Sequence, residues 1–100
     1  MLPNDVATVE SKNGAPLNGT LSVQLYTGDN CGVSSGSAVS GQLYTKTLTG
    51  ASSPASLTTT NASFTVTSST SVSWKVVFAS SDTNVKSSSH CEVTSLTVTN

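Results

Sequence analysis

The chain is expected to fold as an antiparallel β-sandwich of about seven short strands with one disulfide. Apolar residues recur at every second position in several separate stretches, the period of an extended chain with one buried face. Valine and threonine favour strands, and no stretch long enough for a helix carries helical period. A single pair of cysteines, Cys31 and Cys91, is placed to close the domain.

Residues 1–4 read as a tail in which Pro3 discourages regular structure, and residues 5–100 as one domain. Val6 to Glu10 is a short first strand. Residues 11–19 are dense in turn formers, with Asn13-Gly14 and Asn18-Gly19 supplying positions that accept positive φ. Thr20 to Tyr26 alternates cleanly, placing Leu21, Val23 and Leu25 on one face and Ser22, Gln24 and Tyr26 on the other. Residues 27–41, rich in glycine and serine around Cys31, form a long loop held by the disulfide. Gln42 to Leu48 is a strand with two readings: either Leu43, Thr45 and Thr47 or Tyr44 and Leu48 face inward. Gly50 to Pro54 breaks the chain, Leu57 to Thr60 is a short edge strand, and Ser63 to Thr67 puts Phe64 and Val66 on one face. Ser71 to Phe78 is the strand around which the core is built, with Val72, Trp74, Val76 and Phe78 on one side and Ser71, Ser73 and Lys75 in the gaps. After a polar loop over 79–90, Glu92 to Thr99 closes the domain with Leu96 and Val98 inward. Cys91 and Val93 are out of phase with that pair, so a bulge near Thr94 or Ser95 is expected.

Composition narrows the function. Hydrophobic residues make up 35% and charged residues 9% of the chain at a net charge of -1, and the ordered period separates it from a disordered segment of similar polarity. The four cations, Lys12, Lys46, Lys75 and Lys86, are scattered and no arginine is present, which excludes a phosphate-tracking surface for nucleic acid. No apolar run approaches a membrane span, and residues 1–20 lack the pattern of an export signal, so any signal or wall anchor would lie outside this segment. The spacing of Cys31 and Cys91 is neither that of a zinc site nor that of a redox CxxC pair. A disulfide, closing a loop worth about 4 kcal/mol by chain entropy, is preferred over two buried thiols. It implies an oxidising, hence extracellular, compartment.

Three motifs carry a resemblance. Gly19-Thr20-Leu21-Ser22-Val23-Gln24-Leu25-Tyr26 followed by Cys31, Trp74-Lys75-Val76-Val77-Phe78 with Asp82 and Asn84, and His90-Cys91-Glu92 leading into the last strand resemble the G-T-V-x-F-x-L-Y…C, W-[RK]-V-x-Y-x-G-D-x-N and C-x-E-x-V-x-V segments of immunoglobulin-like repeats in secreted and surface proteins of bacteria. The resemblance spans about Val6 to Val98. It implies an immunoglobulin-like sandwich, the Cys31 to Cys91 bridge and a stalk or adhesin role. Phe78 stands where a tyrosine is usual, and Ser81 replaces a glycine before Asp82.

Candidate sites are few. Trp74 is a core anchor. His90 is the only histidine, and its proximity to some serine carries little information in a chain this rich in serine, so no catalytic residue is assigned and no cofactor is implied. A bridge from Cys31 to Cys91 would gather Asp29 and Asn30 near His90 and Glu92, with Asp82 and Asn84 on the adjoining loop, as a candidate calcium pole, although no D-x-D-x-D-G spacing supports it. Lys75 reads as a solvated lysine and not as half of an isopeptide bond. Asn18-Gly19-Thr20 and Asn61-Ala62-Ser63 match the glycosylation sequon. The leading expectation is a non-enzymatic spacer or adhesive-stalk module, a monomeric domain whose partners are neighbouring domains of a longer chain and a host or cell-surface protein or glycan. The alternative is a carbohydrate- or protein-binding module using Tyr26, Tyr44 and the 27–41 loop, which requires both rings outward.

Overall fold

The computed structural model describes residues 1–97. These form six strands, β1 (Val6–Val9), β2 (Leu17–Thr27), β3 (Ala38–Ala51), β4 (Ala55–Thr58), β5 (Thr70–Ser80) and β6 (Ser88–Leu96), with one short 3-10 turn at Lys12–Gly14. All pairing is antiparallel, in a four-stranded sheet ordered β3-β2-β5-β6 and a two-stranded sheet of β1 and β4.

Alternation decides what the two layers enclose. Opposed residues of an antiparallel pair share a face, so the pairs Leu21 with Phe78, Val23 with Val76 and Leu25 with Trp74 put these six side chains on one side. Ala7 and Val9 of β1 and Ala55 of β4 close over them, and Trp74, Leu21, Val23 and Leu25 are fully buried. Tyr44 opposes Val23, which settles the two readings of β3 in favour of Tyr44 and Leu48 inward; Leu43 is exposed.

Several expectations are corrected. Ser63 to Thr67 is no strand, although Val66 is buried and exchanges two backbone hydrogen bonds with Met1. Residues 1–4 are no free tail. Pro3 is buried, the Asn61 side chain donates to Pro3 O at 3.1 Å and Phe64 O at 2.8 Å, and Asn4 Oδ1 accepts from Thr59 Oγ1 and Asn61 N. An arm from Met1 to Asp5 thus continues β1 along the chain that follows β4. The loops are shorter than expected, 28–37 and 81–87, because β3 and β6 start early and β5 runs to Ser80. No bulge occurs in β6. Its register with β5 is unbroken from Thr70 with Leu96 to Phe78 with Ser88, so Cys91 and Val93 simply face outward while Leu96 faces in. Val98 lies outside the described residues.

The irregularities sit in β3 instead, where the register with β2 shifts between Leu17 and Gly19 and again between Gln24 and Tyr26. At the second shift the Gln24 amide Nε2 donates to Leu25 O at 2.8 Å and to Val39 O at 3.0 Å, a side-chain tie across the irregular stretch. Two glycines of nearly equal φ bracket the region, Gly36 at 80° and Gly41 at 78°. A Cβ on Gly36 would stand 1.9 Å from Thr27 O, while one on Gly41 meets nothing within 4 Å. Gly41→Ala therefore costs only the left-handed strain, about 1 kcal/mol. Gly36→Ala is expected to cost several times more and to displace the 28–37 loop, as read by urea denaturation of both variants. Equal losses would show that backbone strain and not close packing holds Gly36.

Candidate functional site

The disulfide forms as expected, with Cα atoms 6.1 Å apart, but it lies on the opposite side of the sheet from Trp74. Cys91 opposes Lys75, and Lys75, like Ser73, points away from the core. The loop 28–37 folds back over this outer face. Cys31 N donates to Ser73 Oγ at 2.9 Å, and Gly32 lies against the Tyr26 ring, where a Cβ would come within 2.9 Å of a ring carbon. Ser73, which alternation alone assigns to solvent, is thereby completely buried. The bridge fastens this flap to the edge strand β6 and does not join the two sheets.

The two tyrosines part company for the same reason. Tyr44 packs inward against Trp74, with ring centroids 6.5 Å apart, and its hydroxyl donates to Gln42 Oε1. Tyr26 is on the outer face, half-buried beside the flap. Tyr44 therefore does not join Tyr26 outside as the binding-module reading needs, because pairing with β2 turns it into the core.

The candidate calcium pole is also separated. Asp29 is exposed in the flap loop on the outer side, and Glu92 opposes Trp74 on the inner face. Asp82 lies beyond the far end of β5, roughly 20 Å from the Trp74–Glu92 pair at the rise of a strand. Its Oδ1 accepts from Asn84 N at 2.9 Å, shaping the 81–87 turn. Among the described residues, no three of His, Cys, Asp and Glu are placed to hold a metal ion together. Asn61 of the second sequon is buried with its amide engaged, so it serves as a tie for the arm.

One titratable cluster does assemble, and its third member, Asp5, is one that spacing does not reveal. β6 turns His90 and Glu92 toward the inner face, and the arm brings Asp5 against Glu92. His90 Nε2 is 3.0 Å from Glu92 Oε2. Asp5 is fixed through its backbone, its N–H donating to Thr59 Oγ1 at 2.9 Å and its carbonyl accepting from Thr59 N at 3.0 Å. Asp5 Oδ2 and Glu92 Oε1 are both buried without a hydrogen-bond partner; the buried indole N–H of Trp74 is likewise a donor without an acceptor. Two facing carboxyl groups can satisfy each other only by sharing a proton. Burial, then the hydrogen bond and charge of Glu92, raise the Asp5 carboxyl to about 6, while the hydrogen bond from Asp5 and the neighbouring His90 hold Glu92 below its ordinary range.

This arrangement is a structural clasp between arm and edge strand. Compared with known proteins, the chain matches no family model, no curated protein and no solved structure.

The clasp has a definite pH signature. Between the ordinary Asp value near 3.8 and about 6, the folded state holds a proton that the unfolded chain releases. The Asp5 contribution to stability is therefore fully present below that window and lost as pH rises through about 6. Glu92 works in the opposite sense, losing its contribution as pH falls below its unfolded value. Asp5→Asn keeps a donor for Glu92 without titrating, so it is expected to raise Tm at neutral pH, with the gain shrinking toward pH 4. A gain of equal size at both pH values in thermal melts would contradict the shared proton.

Proposed function

We propose that this chain is a non-enzymatic, immunoglobulin-like module of a secreted or cell-surface protein, mounted by one pole and presenting the other. The observation that carries the reading is the position of its ends. The strands alternate in direction along the long axis, so β1 starts and β6 finishes at the same pole. Met1 is bonded to Val66, just before β5 begins, and Leu96 opposes Thr70, the first residue of β5. Neighbouring domains joined at both ends would meet this module at one pole, and the loops 10–16 and 81–87 would project from the other.

Such a mounting bears on the spacer reading. Force applied through both ends acts across the strands and parts their hydrogen bonds one after another, so the module suits presentation better than load bearing. Two further features support export: a disulfide and a surface of serine and threonine with little charge. The immunoglobulin-like assignment rests on the three motif resemblances and on the two antiparallel layers; the outer-face bridge distinguishes this chain from antibody domains, in which the bridge joins the sheets.

Small-angle scattering of two copies joined in tandem tests the mounting. The principal extents are 48, 26 and 22 Å, the longest along the strands. Side-by-side mounting is expected to lengthen the particle by about the shorter extents, 22–26 Å, per added copy. Growth near 48 Å would restore an in-line spacer.

A further inference from the structure

The projecting pole holds a cleft of about 400 Å³ between the 10–16 and 81–87 loops, within the size range of small-ligand sites. Its walls carry Lys12 and Lys86, half of the chain's four cations, on a protein whose net charge is -1. Among the described residues, neither lysine has an ion-pair partner, although Glu10 lines the same cleft. Facing cations that stay unpaired beside a carboxylate leave their charge available to a guest. Asn84 adds an amide, and Ala15 and Val85 supply an apolar wall, Val85 being packed in part on the core.

Both walls are held by their own hydrogen bonds. Ala15 N donates to Lys12 O at 3.4 Å and Ser11 N to Ser53 Oγ at 2.9 Å on one side. On the other, Val85 N donates to Asp82 O at 3.1 Å and Ser80 N to Ser87 Oγ at 2.9 Å. The backbone of the cleft therefore needs little ordering on binding, and the ordering cost falls on the two lysine side chains.

The geometry points to a binding site for a carboxylated sugar, such as a uronic acid residue of an acidic glycan. Lys12 and Lys86 take the carboxylate, Glu10 and Asn84 take neighbouring hydroxyl groups, and the C–H face of the ring rests on Ala15 and Val85. No aromatic ring lines the cleft, so a neutral sugar has no stacking platform and charge must carry recognition. These residues are distinct from Tyr26 and Tyr44.

Amide chemical shifts of the oxidised protein, followed during titration with sodium glucuronate, test the assignment, with glucose, sodium acetate and glycine as controls. Saturable shifts confined to residues 10–15 and 84–86 are expected, weakening in high salt. The double variant Lys12→Gln, Lys86→Gln should bind at least about tenfold more weakly, as loss of a charge-assisted hydrogen bond implies. Its Tm should be unchanged, since both lysines are exposed. The proposal is overturned by absent shifts, by an unchanged titration in the variant, by an equal response to glucose or acetate, or by tighter binding of glycine, which would mark a zwitterion site. The tandem scattering experiment is indifferent to all of these outcomes, so the mounting and the cleft stand or fall separately.

Discussion

The pairing of β2 with β5 is the constraint on which the remainder rests. Nine consecutive pairs run without a shift from Gly19 with Ser80 to Thr27 with Val72. That unbroken register puts Leu21, Val23, Leu25, Val72, Trp74, Val76 and Phe78 on the same side, leaving Tyr26 and Val77 on the other, and a slip of one residue would expel Trp74 and Leu25 together. Everything else is hung from this pair: β3 on one edge, β6 on the other, β1 and β4 across the inner face, and the flap across the outer one.

A polar edge strand follows from the same register. On β6 the inward positions are Ser88, His90, Glu92, Thr94 and Leu96, of which only Leu96 is apolar. Such a strand cannot be covered by hydrophobic burial alone. The arm supplies polar cover instead, with Asp5 against Glu92 and Asn61 and Thr59 holding the arm in place. The bridge acts on the other face, tying the outward Cys91 to a flap that would otherwise be held by few contacts. By chain entropy its loop contributes about 4 kcal/mol, a large share of the stability of a domain this small.

Strands whose period is clean were legible in the chain. Leu21, Val23 and Leu25, and Val72 through Phe78, announced both faces, and the lone cysteine pair announced its bond. Less was legible where local pattern is ambiguous or where a contact joins distant segments. Tyr44 and Leu43 alternate equally well, and only pairing with Val23 orients them. Cys91 and Val93 suggested a bulge because an inward face was expected to be apolar, whereas here it is polar. Ser73 looked solvated because no local pattern records that a loop will return over it. Asp5 and Glu92, 87 positions apart by subtraction of their numbers, carry no shared motif, and Asn61 hid its role as a tie inside a sequon. The cleft is likewise a meeting of two loops that the order of residues does not bring together.

Amide hydrogen exchange of the intact, oxidised protein tests the architecture most directly, because among the described residues only β2 and β5 have hydrogen-bonded neighbours on both sides. Their amides, from Leu21 to Leu25 and from Val72 to Phe78, are predicted to exchange last and with one shared protection, as the unit that opens only on global unfolding. Fast exchange along β5, or greatest protection in β1 and β4, would contradict a fold built outward from the β2–β5 pair.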